Sequence, residues 1–382
     1  MTAPAGPAGD GGPGADESAP GDPAAGDAPA ARLGRRHVAV LVVFFLALSA
    51  VVVGSVVPLP YAILSPGPTF NALGEERLNG TTKPVIVVQG RRTYPTEGSL
   101  RFLTILVKGG PGYRVDAWDL LGAWVDPARD IYPVDQIIDP DASKQEVAEE
   151  LTIQMQGSQQ EAKAVALRAV GETVPTYVVV AQVLDSSKAK DLLKPGDRFV
   201  SVDGVAASDP KTIRDALQGV EPGDPVAIEI IRAGAHRTVE VPTISGSGGR
   251  TAIGVLLGVE HDFPVTVTIN AGDVGGPSAG LMFALAIYDK LTPGSLTGDH
   301  AVAGTGTIDE QAQVGPIGGI HQKLIAAKDA GATYFLAPAA NCPGVVGHVP
   351  DGLQVVKVST FDEAVSAVEA IARGAAGGLP HC

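Results

Sequence analysis

Along the chain, one long uncharged run gives way to short alternating segments, and the chain closes on a series of helical and continuous apolar stretches. Val38 to Val57 is twenty residues without a charge, preceded by Arg32, Arg35 and Arg36 and ended by Pro58 and Pro60. At 1.5 Å per residue such a run reaches about 30 Å, the thickness of a bilayer's hydrocarbon core, and predicts a transmembrane helix over 38–57. A core helix would have to be apolar on every face. The other alternative is a cleaved signal peptide with Val53-Gly54-Ser55 as its cleavage site, although the run is long and starts late for one. Arginines on the N-terminal side keep the tail in the cytoplasm and put the residues after Leu59 outside.

Short β-rich runs follow at Val85-Ile86-Val87-Val88 and Leu100 to Ile105. Lys144 to Val170 is rich in Glu, Gln, Ala and Lys and predicts one or two helices, with Gly171 as the stop. Residues 174–243 have the pattern of a small separate domain. Its strands are Tyr177 to Leu184, Phe199 to Val202, Val226 to Arg232 and Thr238 to Val241. Asp203-Gly204 and Ala233-Gly234 make its tight turns, and a helix runs from Pro210 to Gln218. Ser245-Gly246-Ser247-Gly248-Gly249 has the composition of a flexible linker. Beyond it, Phe263 to Asn270 alternates as a strand does, and Ser278 to Lys290 is apolar at helical spacing. Ala301 begins another strand, Gly319 to Ala330 a helix, Tyr334 to Leu336 a buried strand, and Phe361 to Ala372 the closing helix.

Composition narrows the classes. Residues 1–31 are almost wholly Ala, Gly, Pro, Asp and Ser, carry no Lys or Arg, and predict a disordered acidic tail. The net charge of −14 and the lack of a basic cluster speak against nucleic acid as a partner. Seven scattered histidines and two cysteines have no metal-ligand spacing, so neither a metal nor another cofactor is expected. Cys342 and Cys382 allow one disulfide if the domain sits outside the cytoplasm, with Cys382 expected to fray at the chain end. No Gly-x-x-x-x-Gly-Lys-Ser/Thr occurs.

The chemistry concentrates in two motifs. One is Gly275-Gly276-Pro277-Ser278-Ala279-Gly280, a serine at the mouth of a helix; the other is Pro316 to Ala327, with Lys323 inside it. A serine hydroxyl needs a base, and a desolvated lysine can be one. The helix after the serine aims free N–H groups toward a developing oxyanion, so the backbone at Gly276, Pro277 and Ser278 is the candidate oxyanion site. His321 is the competing base, but a helix turns it about 200° from Lys323.

These residues resemble the proteolytic domain of the Lon family, in which a Gly-Pro-Ser-Ala-Gly serine pairs with the last lysine of Ile-Gly-Gly-x-x-x-Lys-Leu-x-Ala-Ala. The resemblance implies that Ser278 is the nucleophile, Lys323 the general base and Thr305 the residue that holds the lysine amine. It departs from the family at Thr307, where a glutamate is usual, and at Gly275, where an acid is common. Lys194-Pro195-Gly196-Asp197 followed by Ser201-Val202-Asp203-Gly204 resembles a bacterial PDZ domain, which implies an extended peptide added between an edge strand and a helix. The usual glycine-rich carboxylate loop is not found before Tyr177.

The resulting expectation is an α+β chain of the membrane-anchored bacterial type. A PDZ-like module at 174–243 would be inserted in a Lon-like domain formed by 82–172 and 250–374, with the strands at 85–106 in the catalytic sheet. The implied function is an ATP-independent serine endopeptidase acting outside the membrane on peptides or unfolded segments. Homo-oligomers are compatible with it, since Lon-like domains often form rings. The alternative is an inactive Lon-like scaffold with a peptide-binding role.

Overall fold

The structure is a computed structural model and describes residues 34–382 apart from 79, 140, 185 and 186, so the expected acidic tail lies outside the described residues. The chain divides into two compact units, 1–54 and 55–382. The first holds most of α1 (Arg35–Val56), a helix long and apolar enough to cross a membrane, with no buried residue.

In the second unit the elements that matter for the site begin with β1 (Tyr61–Asn71), β2 (Ile86–Gln89), β3 (Ser99–Lys108), α2 (Ala117–Val125), β4 (Asp130–Pro133) and α3 (Lys144–Ala169). Then come β5 (Thr176–Val183), β6 (Arg198–Val202), α4 (Pro210–Ala216), β7 (Pro225–Arg232), β8 (Ala235–Pro242), β9 (Val255–His261) and β10 (Thr266–Ile269). The last are α5 (Gly280–Leu291), β11 (Ala301–Gly304), α6 (Ile320–Asp329), β12 (Tyr334–Pro338), β13 (Gln354–Val358) and α7 (Phe361–Ala372).

The first sheet has the order β13-β12-β11-β3-β1-β4. Its β3, β11, β12 and β13 run parallel, and β1 is antiparallel to both β3 and β4. Strands from before and after the second sheet thus share one set of hydrogen bonds. Side chains alternate between its faces, as a pleated strand requires. Phe102, Val302, Leu336 and Val356 pack with α5, α7 and α3, while Leu103, Ala303, Phe335 and Val355 pack with α6. The strand expected at Val85–Val88 does not join this sheet. Instead β2 pairs with β10, Ile86 opposite Ile269 through Gln89 opposite Thr266, and Ile86 and Ile269 bury in the first core.

Residues Lys144–Ala169 form one helix. Ser143 Oγ accepts from Glu146 N while the Glu146 carboxylate accepts from Ser143 N, a reciprocal N-terminal cap. At the other end Gly171, at φ 85°, donates to Arg168 O and Glu172 N donates to Leu167 O. That closure needs the left-handed backbone that glycine adopts without a Cβ penalty.

The second sheet is β8-β7-β6-β5-β9, with α4 packed beside β9. Asp203-Gly204 and Ala233-Gly234 form the expected turns, all four residues at positive φ, as a two-residue hairpin demands. Two expectations fail at its C-terminal side. The segment 245–249 is not an open linker: Ile244 and Ser245 pair with Ala252 and Thr251, and Gly246 N donates to Arg250 O. Residues 255–261, expected with the catalytic part, pair along β5 from Val255 opposite Val183 to His261 opposite Thr176. The edge of β5 would otherwise be left without partners.

Cys342 and Cys382 are joined by a disulfide, their Cα atoms 4.9 Å apart. The C-terminus does not fray, because Pro380 O accepts from Lys357 N on the edge strand β13. Closing a loop across 40 residues should stabilise the fold by about 4 kcal/mol through the unfolded state. We expect the Cys342→Ser/Cys382→Ser variant to unfold at clearly lower urea than the oxidised protein, and reductant to shift only the latter. Coincident unfolding curves would show that the bridge contributes nothing.

Candidate active site

Ser278 lies two residues before α5, in a loop that α3 holds from below. Gly276 N donates to Leu151 O at 2.9 Å and Ser158 Oγ donates to Pro277 O at 2.8 Å. Gly280 has no room for a side chain, since a Cβ there would stand 2.6 Å from Ser158 Oγ. Thr305 follows directly on β11. Its Oγ1 donates to Ser278 O at 2.9 Å, and Gly306 N donates to the same carbonyl at 2.9 Å. Gly304 lets α5 approach the strand, because a Cβ would meet Met282 Sδ at 2.6 Å.

Lys323 arrives from the other side of the sheet. α5 packs on one face and α6 on the opposite one, so the two motifs meet only past the carboxyl end of β11. There Lys323 Nζ lies 2.8 Å from Ser278 Oγ and 2.9 Å from Thr305 Oγ1. The lysine is 2% exposed and Thr305 1%. No carboxylate among the described residues lies within ion-pair distance of the amine. Burial pushes its pKa from 10.5 down to about 7, as expected when a charge loses water and gains no counter-ion. Near neutrality a large fraction of the amine is the free base, able to accept a proton from Ser278 and donate to Thr305.

The other candidates fare differently. Pro277 has no N–H and the Gly276 N–H is taken by Leu151 O, so of the three expected oxyanion positions only Ser278 keeps a donor. His321 does not approach the serine: its Nδ1 lies 3.2 Å from the Asp130 carboxylate on β4, and its ring is 4.6 Å from that of His348. The sequence offered no sign of Asp130, which is 191 residues away. Ser158 and Leu151 were equally hidden, since nothing in a Gln- and Glu-rich helix announces that one face supports a loop more than a hundred residues later.

A second concave region lies between α4 and β9. It is a cleft of about 1300 Å³ that includes Ile213, Leu217 and the run Ile253-Gly254-Val255-Leu256. Gly254 sits at φ 70°, where a Cβ would come 2.6 Å from Ser187. No glycine-rich segment stands directly before Tyr177; Gly254 stands at the other end of the module, where the chain leads into the edge strand β9.

Comparison with known proteins finds two domain families in this chain. Residues 259–371 match the Lon protease (S16) C-terminal proteolytic domain, and residues 150–243 match the PDZ domain. Lon protease 2 of Bacillus subtilis is 32% identical over 108 residues, covering 28% of this chain and 19% of that protein. The Lon protease of Lachnoclostridium phytofermentans is 35% identical over 108 residues, 27% of this chain and 13% of its own length. The chain therefore spans less than a fifth of either relative. Among solved structures, the PDZ domain of an SdrC-like protein from Listeria monocytogenes is 26% identical, covering 21% of this chain and 86% of that one with a TM-score of 0.20. The chain carries a Lon-type proteolytic domain and a PDZ domain in a mixed α+β fold.

A buried lysine titrating near 7 rather than 10.5 costs the folded state on the order of 5 kcal/mol. Between those two values the folded chain binds fewer protons here than the unfolded chain, so the cost is full below pH 7 and fades as pH rises toward 10.5. Lys323→Met should therefore raise the melting temperature at pH 6 and do so much less at pH 9.5. A gain that is equal at both pH values would mean the amine is not desolvated.

Proposed function

We propose that this chain is a serine endopeptidase in which Ser278 is the nucleophile and Lys323 the general base. The observation that carries the proposal is the buried amine 2.8 Å from Ser278 Oγ, held by Thr305 at 2.9 Å with no competing acid among the described residues. Neutral Lys323 takes the Ser278 proton as Oγ attacks the peptide carbonyl. The oxyanion faces the Ser278 N–H, since Pro277 has no N–H and that of Gly276 is bonded to Leu151 O. The lysine then gives its proton to the departing amine, and the C–N bond breaks to leave an acyl-serine. Water loses a proton to Lys323 and attacks the ester, which releases the second product and restores the dyad.

Three further parts belong to the proposal. The 174–243 module, together with β9, is an insertion that selects substrate: the cleft beside α4 and the outer edge of β9 suit an extended peptide added as a strand. The helix α1 anchors the chain, with the peptidase outside the membrane. Arg32, Arg35 and Arg36 before the apolar run support that orientation, and a disulfide fits an oxidising compartment. The last part is that hydrolysis proceeds without nucleotide, on peptides and already unfolded segments.

Ser278→Ala and Lys323→Ala should each lower casein hydrolysis by about a thousandfold or more, since the two act as one unit. His321→Ala should keep most of the activity, and ATP should change nothing. In the intact enzyme kcat/KM for a peptide should fall about tenfold per pH unit below about 7, because protonated Lys323 cannot act as a base. Activity that survives Lys323→Ala and disappears in His321→Ala would assign the base to the histidine.

A further inference from the structure

The segment 116–126 reads Asp-Ala-Trp-Asp-Leu-Leu-Gly-Ala-Trp-Val-Asp, apolar residues between acids. Asp116 accepts from Trp118 N and Asp119 N, and Asp119 returns a bond to Asp116 N, which starts α2. One side of this helix is spent on the protein: Ala123 is buried and Leu120 packs with Ile63, Val115 and Ile131. The other side carries Trp118, Leu121, Trp124 and Val125, exposed by 46%, 50%, 77% and 66%. Two tryptophans, a leucine and a valine on one open face form an apolar patch that water does not favour.

The position of α2 in the fold says what covers that face. Leu59, two residues past the uncharged run, donates its N–H to Val115 O at 2.8 Å, and Trp118 Nε1 donates to Ser55 Oγ at 3.0 Å. Two residues span at most about 7 Å, which is roughly the depth of the polar interfacial layer on one side of a bilayer. Whatever the orientation of the rest, the start of α2 stays within that layer if α1 spans the membrane. Tryptophan is the residue that this layer favours, with an apolar ring and a polar N–H.

We propose that α2 is an interfacial helix, its Trp118, Leu121, Trp124 and Val125 face seated in the lipid surface at the outer end of α1. The inference rests on the anchoring role given to α1. The face itself carries no charge, and nearby acids and bases pair with each other, Asp119 with Lys108 and Asp126 with Arg129, so the attraction is mainly apolar and does not depend on anionic lipid. Because α2 leads directly into β4, the docked helix holds that edge of the first sheet toward the membrane and leaves the enzyme one orientation on its surface.

The test is unusually direct, because Trp118 and Trp124 are the only tryptophans in the sequence. The intrinsic fluorescence of the full chain therefore reports on α2 alone. The chain is reconstituted into phosphatidylcholine vesicles, and retention after an alkaline carbonate wash is scored first. Tryptophan emission should then be quenched by lipids brominated near the headgroup, shielded from aqueous iodide, and unchanged by added salt or anionic lipid. Leu121→Asp/Val125→Asp keeps both tryptophans and the anchor, and should lose lipid quenching and gain iodide quenching. Chain that stays in the membrane while its tryptophans remain open to iodide overturns the docking and spares the anchor. Shielding from both quenchers, with cross-links between copies, assigns the face to a second copy and also overturns it. Loss of the chain in the carbonate wash removes the anchoring role and the docking with it.

Discussion

Everything near the site is arranged around one uncomfortable group, the Lys323 amine. It is held out of water between Ser278 Oγ and Thr305 Oγ1, with no acid among the described residues to compensate it. A lysine on an open helix would be a solvated cation and useless as a base. Here Leu324, Ala326 and Ala327 bury its helix against the sheet, and the chain accepts instability as the condition for a titratable amine near neutrality. The Ser278 carbonyl, bonded to Thr305 Oγ1 and Gly306 N, fixes the loop so that the hydroxyl cannot drift from the amine.

That constraint explains the role of the sheet. Ser278, in the loop that leads into α5, and Lys323, on α6, are carried by elements on opposite faces, and they can meet only beyond the end of a strand lying between them. β11 is such a strand, paired on one side with β3 and on the other with β12. Since β3 precedes the second sheet by about seventy residues of sequence, the site depends on chain from both sides of that module. The helix α3, which holds the serine loop through Leu151 and Ser158, ends only seven residues before β5 begins. A link this short gives the module a structural path to the serine loop.

The module itself shows how a reading of local pattern can find strands and miss a groove. Its central strands and both glycine turns were legible, because alternation and a two-residue Asp-Gly or Ala-Gly turn are local signals. Its edge strand was not. Val255–His261 lies beyond a Gly- and Ser-rich stretch that looks like a linker by composition, and it is claimed for the second sheet by pairing with β5, more than seventy residues earlier. With that strand goes the Ile253-Gly254-Val255-Leu256 run, whose position at the groove follows from pairing.

What the sequence determined by itself was what short stretches encode. The uncharged run is one continuous stretch, and the stop of α3, the turns and each of the two motifs around Ser278 and Lys323 depend on residues close together in the chain. The identity of Lys323 as the group beside the serine was legible only through the spacing and wording of those motifs. The tertiary structure decided which groups meet across the fold: Ser158 and Leu151 under the serine loop, Asp130 on His321, the disulfide at the C-terminus, and the Gly276 N–H taken by Leu151 O. Those outcomes turn on burial and on competition for hydrogen bonds between segments up to 191 residues apart. A backbone N–H is available for chemistry only if no other part of the fold has taken it, and no local pattern carries that information.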